Sequence, residues 1–272
     1  MNLAEATARL ADAGVPTPRV DAESLLAHVL GVPRSRLVLA PPPDAEAQAR
    51  FAGLVERRAS RVPLQHLTGT APFRHLELAV GPGVFVPRPE TELLVDAVLP
   101  MAGVVVDLCA GSGALALAIA QEAPGSTVYA VERSPAALAW LRRNAEGTRV
   151  TVVAGDVRDR CVLAELDGRV DVVVSNPPYV PAHIEVDLEV RADPPEAVFA
   201  GPDGFDLIPD VVVRAAQLLR AGGVLAMEHD DTHASSVPHL LQADMQWDEV
   251  VEHRDLSGRA RFVTARRFNE HR

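Results

Sequence analysis

Two apolar periods divide the chain. In the first sixty residues the period is helical: Leu3, Ala6 and Leu10, then Leu25, Leu26, Val29 and Leu30, recur at three- and four-residue steps. Helices are therefore expected over residues 2–13 and 18–30, with Gly14 and Gly31 at their ends. After Pro41-Pro42-Pro43, Asp44 is placed to cap a third helix whose stripe is Phe51, Leu54, Val55 and Ala59. Alternation from Phe73 to Val80 then predicts a strand and Gly81-Pro82-Gly83 its turn; a return leg ends in the prolines after Val86, before a helix over residues 90–99.

Beyond residue 100, short β-branched runs alternate with helical stretches. The pattern predicts strands at 104–108, 127–131, 150–154, 171–174 and 224–227, followed by two closing strands at 247–253 and 261–265. Helices are expected at 114–122, 135–144, 209–219, where Gly222-Gly223 supplies the stop, and 232–241. Such an alternation builds a mostly parallel sheet with helices on both faces. The expected organisation is a helical domain over 1–62, a β-hairpin linker over 63–88 and an α/β domain over 89–272.

Charge separates the same regions. Residues 1–88 balance at +2 and residues 89–272 at −13, within a total of −11. Proteins that grip duplex DNA present a basic face, so the acidity of the larger part argues against direct nucleic-acid binding. No apolar run approaches the roughly 18 residues of a membrane span, and Glu5 stands where a secretory signal would be basic. A cytoplasmic protein without membrane contact is expected. Cys109 and Cys161 are too few for a disulfide framework and lack zinc-site spacing, so no metal is expected.

The most informative stretch is Asp171-Val172-Val173-Val174-Ser175-Asn176-Pro177-Pro178-Tyr179. It reads as a buried strand stopped at its carboxyl end, where open α/β sheets bind their ligands. Asn176 offers a side-chain carbonyl, and Pro178 biases Pro177 to an extended conformation that can turn its own carbonyl outward. Two acceptors can grip one NH2 group, and Tyr179 gives a flat face for a planar amide or a base. Accepting from both hydrogens returns electron density to a delocalised nitrogen, which is what methyl transfer to that nitrogen needs. Upstream, the loop Cys109-Ala110-Gly111-Ser112-Gly113 between strand and helix lets backbone approach a nucleotide-like ligand. Glu132 ends the next strand, where an acid can take the hydroxyls of a ribose, and Asp156 ends the third, where a carboxylate can accept from an adenine amine. Arg88, Glu90 and Glu92 concentrate charge at a helix start, suited either to the helix dipole or to a ligand.

Taken in order, Pro63-Leu64-Gln65, Pro87-Arg88-Pro89-Glu90-Thr91-Glu92, Asp107-Leu108 with Gly111-Ser112-Gly113, Asn176-Pro177-Pro178-Tyr179, Gly201-Pro202-Asp203-Gly204 and Glu228-His229 carry a resemblance. They resemble the glutamine-amide methyltransferases of peptide-chain release factors, the PrmC/HemK family, over nearly the whole chain. The Pro-Arg-Pro-Glu-Thr-Glu segment is the more specific marker, because the tetrad at 176–179 is shared with amino-DNA methyltransferases.

The resemblance implies a Rossmann-like class I methyltransferase fold: a seven-stranded mixed α/β sheet preceded by a small helical domain. It also implies S-adenosylmethionine as donor and the glutamine of the release factors' Gly-Gly-Gln loop as substrate. By the same motifs, Asp107, Cys109, Ala110, Gly111, Ser112 and Gly113 line the methionine end of the donor, Glu132 holds its ribose, and Asp156 and Val157 border its adenine. Asn176 lies between donor and substrate; with Pro177, Pro178 and Tyr179 it holds the substrate amide, and Arg88 and Glu90 are further substrate contacts. A monomer whose helical domain docks the release factor is expected. The chain departs from the family pattern in two places: Cys109-Ala110 replaces the commoner Gly-Thr, and Asp230 stands where a glycine usually follows Glu-His.

Three other functions account for parts of the pattern. An amino-DNA methyltransferase uses the same tetrad, but the chain has no segment resembling a target-recognition domain. An NAD-dependent oxidoreductase explains the glycine loop and Glu132 but leaves the tetrad unused. A non-enzymatic partner-binding relative leaves both the tetrad and Glu132 without a purpose.

Overall fold

The computed structural model describes residues 1–268, which gather into two compact units; the last four residues of the expected 89–272 domain lie outside the described residues. One unit comprises residues 1–70, 80–82 and 186–192. It holds α1 (Leu3–Asp12), α2 (Pro18–Leu30), α3 (Ala45–Ala59) and α4 (Leu64–Thr68). Asn2 and Glu5 close a reciprocal capping box on α1, and Asp44 accepts from the Ala47 N–H at the start of α3. Ala6, Leu10, Leu25, Phe51 and Val55 bury the helical stripes against one another. A buried ion pair joins Arg58 of α3 to Asp21 of α2 at 2.7 Å, and Glu189 reaches both Arg58 and Arg61.

The second unit, residues 71–79, 83–185 and 193 onward, carries the sheet. In chain order its elements are β1 (Thr70–Phe73), β2 (Leu76–Ala79), α5 (Glu92–Val98), β3 (Val104–Leu108), α6 (Ala114–Glu122), β4 (Thr127–Glu132), α7 (Pro135–Ala145), β5 (Thr151–Ala154), β6 (Val170–Ser175), α8 (Pro195–Val198), α9 (Ile208–Leu218), β7 (Leu219–Glu228), α10 (Ser236–Ala243), β8 (Trp247–Arg254) and β9 (Ala260–Arg267). Seven strands form one mixed sheet in the order β5-β4-β3-β6-β7-β9-β8, with β9 antiparallel to both its neighbours. This is the sheet expected from the sequence.

Two local expectations are corrected. The hairpin turns at Arg74-His75 rather than at Gly81-Pro82-Gly83. Arg74 takes a left-handed φ of 52° there; its N–H donates to Glu92, and its guanidinium pairs with Glu122 and Asp96. Those partners hold a conformation that an arginine alone would avoid. Gly222-Gly223 does not stop α9, which ends at Leu218; the pair sits inside β7, where the ladder to β6 slips between Val170 and Val172.

The core fixes where the strands end. Val105, Val106, Leu108, Val172, Val173 and Val174 are all fully buried, because helices cover both faces of the sheet, and Asp107 alone interrupts the apolar run of β3. Ile208, Val211, Val212 and Ala215 of α9 pack on one face, each large side chain stabilising by about 1.5–3 kcal/mol relative to exposure. From β3 the chain runs outward to β4 and β5, then crosses back to β6 on the other side of β3. That switch point is where an open α/β sheet leaves a crevice. Leu108 stands level with Val131 and Ser175, Glu132 with Ala154, and Ser175 with Met227. The residues that follow these strand ends therefore share one edge.

Candidate functional site

At the switch point the ends of β3 and β6 are tied by the Ser175 hydroxyl, which donates to the Leu108 carbonyl at 2.6 Å. The glycine loop begins immediately beyond. Cys109 takes φ 65°, Gly111 φ 56° and Gly113 φ 89°, three left-handed residues in five. A Cβ at Gly113 would stand 2.6 Å from Leu141 Cδ1, so the close packing of α6 against α7 requires glycine there. The Asn144 amide of α7 donates to the carbonyls of Ser112 and Ala79, which holds the loop from behind.

Two carboxylates flank this loop. Asp107 is fully buried; one oxygen accepts from the Ala116 N–H at 3.1 Å, and the other has no hydrogen-bond partner among the described residues. Burial, with the Glu132 charge nearby, pushes the Asp107 carboxyl well above its ordinary range. An orphaned buried carboxylate oxygen suits a cationic group, such as the ammonium of a methionine moiety. Glu132 is held by three backbone donors: Arg133 and Ser134 N–H to one oxygen, Gly111 N–H to the other at 2.9 Å. The second oxygen keeps a lone pair for a ribose hydroxyl. Burial, reinforced by Glu132 and Asp107, raises the Cys109 thiol, so it stays protonated.

Beside Glu132 a cleft of about 520 Å³ is lined by Arg133, Ser134, Pro135, Ala154, Gly155, Asp156 and Glu196. Its size falls in the range of roughly 300–1,000 Å³ usual for small-molecule sites. Asp156 accepts from the Arg158 N–H and faces Arg133 at 3.5 Å, while Val157 is buried in the core beneath.

Asn176, Pro177, Pro178 and Tyr179 follow β6 at the same edge. The Asn176 Nδ2 donates to the Thr91 hydroxyl oxygen at 3.1 Å, and no described residue donates to its Oδ1 or to the Pro177 carbonyl. Thr91 donates to one oxygen of Glu228 and the Tyr179 hydroxyl to the other, both at 2.7 Å. Burial, then the Glu228 charge, drives the tyrosine hydroxyl well above its ordinary pKa. Burial also raises Glu228, against the pull of the two hydroxyl donors. The Gly201-Pro202-Asp203-Gly204 turn packs here too, since a side chain at Gly204 would collide with the Tyr179 carbonyl. Segment 180–200 folds back through Val180 N–H to Val198 and Ala200 N–H to Val180.

The residues expected to hold donor and amide thus converge on one edge. Arg88 and Glu90 do not join the tetrad's hydrogen bonds: Arg88 pairs with the buried Asp193 and lies 4.9 Å over the Phe85 ring, while Glu90 is exposed. Sequence reasoning missed Thr91, Glu228 and Asp193. Thr91 and Glu228 lay within quoted motifs, and the strand prediction set Glu228 just beyond the end of a strand; their contact with the tetrad spans 85 and 49 residues, which no local period reports.

Among known proteins, residues 2–69 match the family model of the PrmC N-terminal domain and residues 75–192 that of the methyltransferase small domain. A release factor glutamine methyltransferase of Mycolicibacterium smegmatis is 56% identical, over 97% of this chain and 95% of its own length. One from Streptomyces coelicolor is 52% identical, over 97% and 96%. Among solved structures, the catalytic domain of hMettl16 in complex with the MAT2A 3′UTR hairpin 6 shares the fold with a TM-score of 0.57 at 14% identity, covering 80% of this chain and 83% of that one. The matches to curated relatives extend from the helical unit through both ends of the site, and on that ground the chain belongs to the release factor glutamine methyltransferases.

Proposed function

We propose that this chain transfers the methyl group of S-adenosylmethionine to the side-chain amide nitrogen of the glutamine in the Gly-Gly-Gln loop of peptide-chain release factors. The observation that carries this reading is Asn176 at the switch point, with its Nδ2 committed to Thr91 and its Oδ1 left to accept. Bound in the adjoining site, the donor supplies an electrophilic methyl on a sulfonium. Asp107 would face its cationic end, Cys109 to Gly113 would run beside its methionine, Glu132 Oε2 would take a ribose hydroxyl, and Asp156 and Val157 would border the adenine.

The amide is handled by the tetrad. Asn176 Oδ1 and the Pro177 carbonyl accept its two hydrogens and return electron density to the nitrogen, while the Tyr179 ring confines its plane. With the donor bound, the nitrogen would bond to the methyl carbon as the carbon–sulfur bond broke, the electron pair staying on sulfur and the nitrogen's extra proton passing to water. No side chain needs to act as a strong base. Positioning contributes most, since near-attack geometry is worth roughly 7–11 kcal/mol in favourable cases.

Arg88 and Glu90 contact the protein substrate beyond the glutamine, and the helical unit docks it. The chain works in the cytoplasm as a monomer, without nucleic acid or membrane. Labelled methyl transfer tests the reading: release factor, duplex DNA and no acceptor are each incubated with protein and labelled donor. Label on the factor alone is expected; label on DNA alone would replace this function by its rival.

A further inference from the structure

We propose that Thr91 and Glu228 are positioning residues for this reaction, fixing which end of the Asn176 side chain faces the substrate. The inference rests on the reading that Asn176 grips the substrate amide. An asparagine amide has a carbonyl end and an amino end of nearly equal shape, and only the first can accept from a glutamine NH2. Turned the other way, Asn176 would set hydrogens against hydrogens.

The hydrogen-bond chain distinguishes the two ends. Glu228 is 1% exposed, and its ionised carboxylate can only accept. Tyr179 therefore gives its proton to one oxygen and Thr91 gives its own to the other. With its single proton spent, the Thr91 oxygen can only accept, so the Asn176 atom 3.1 Å away is the donor Nδ2. Oδ1 is left without a donor among the described residues and can accept from the amide. Each assignment follows from the one before, and the order begins at Glu228.

The same chain makes orientation depend on the charge of Glu228. If Glu228 takes a proton, a hydroxyl bond must reverse; a reversal at Thr91 frees its proton for Asn176 and turns the amide. Burial raises Glu228, with Glu90 adding to the rise, while Thr91, Tyr179 and Arg261 oppose it; Asp230 also faces Tyr179. Activity should fall as pH drops through that raised value.

The test compares Thr91→Val, Thr91→Ser and Glu228→Gln with wild type, in the full chain with release factor and donor, measuring kcat, donor Kd and melting temperature. Thr91→Val should lower kcat about tenfold or more and leave donor Kd within about twofold, while Thr91→Ser restores most of the rate. Glu228→Gln should also lower kcat about tenfold and abolish the acid limb of the pH profile. Wild-type kcat in Thr91→Val overturns the proposal. So does equal loss in Thr91→Val and Thr91→Ser, which would make Thr91 only a packing residue. A wild type inactive on release factor overturns the proposed function, and this inference with it; an active wild type with Thr91→Val at the same kcat overturns this inference alone.

Discussion

The donor end and the amide end of the site are built from different materials. From Asp107 to Gly113 the chain offers mostly backbone, shaped by left-handed residues and tied by the Gly111 N–H to Glu132, while Asp107 accepts from the Ala116 N–H of α6. Around Asn176, side chains hold side chains: Tyr179 and Thr91 converge on Glu228, and Thr91 meets Asn176. Side-chain identity should accordingly matter little along much of the glycine loop and a great deal at the tetrad. Cys109-Ala110 in place of the commoner Gly-Thr fits this, because what the loop supplies there is backbone.

The sharpest way to break that comparison is Asn176→Ala. It should cut kcat by about 10²–10³-fold and leave donor Kd within about threefold, as calorimetry and steady-state rates would report. Near-normal turnover would end the assignment of Asn176. The converse substitution is Glu132→Gln, which keeps shape but loses charge. It should weaken donor binding about tenfold with little change in kcat at saturating donor; an effect confined to kcat would show that the two ends are not separable.

The third prediction concerns the ion pair beside the amide end. Burial outweighs the Arg88 charge and pushes the Asp193 carboxyl from 3.8 up to about 6. A raised carboxyl stabilises the fold below its unfolded value and loses that contribution as pH rises through the folded one. Between pH 4 and 6, wild type should therefore forfeit about 2 kcal/mol that Asp193→Asn does not, seen as a difference in the pH slopes of their urea-unfolding free energies. Parallel slopes would refute it. Smallest is Cys109→Gly: relieving a left-handed cysteine should stabilise by about 1 kcal/mol and leave donor Kd within about twofold, and a large affinity change would show that the thiol itself contributes to the donor site.

What the sequence disclosed follows the same division. Strand runs such as 171–174, the Asp44 cap and the acids and glycines at strand ends are local patterns, so their shared edge followed once the strands were taken as parallel. The hairpin turn was misplaced because Gly-Pro-Gly is the stronger local signal, whereas Arg74 turns by means of Glu92, Asp96 and Glu122, up to 48 residues away. Gly222-Gly223 read as a helix stop, yet α9 had already ended and β7 absorbed the pair at a slip in its ladder. Thr91 and Glu228 escaped for a related reason: they stand 137 positions apart in sequence and are joined only by the fold.

The most direct measurement is peptide mass spectrometry of a release factor after incubation with this protein and S-adenosylmethionine. The account predicts a single added methyl, with fragment ions placing it on the side-chain amide of the Gly-Gly-Gln glutamine, and none with Asn176→Ala. A methyl on any other residue, or an unmodified factor while calorimetry still shows donor binding, would contradict it.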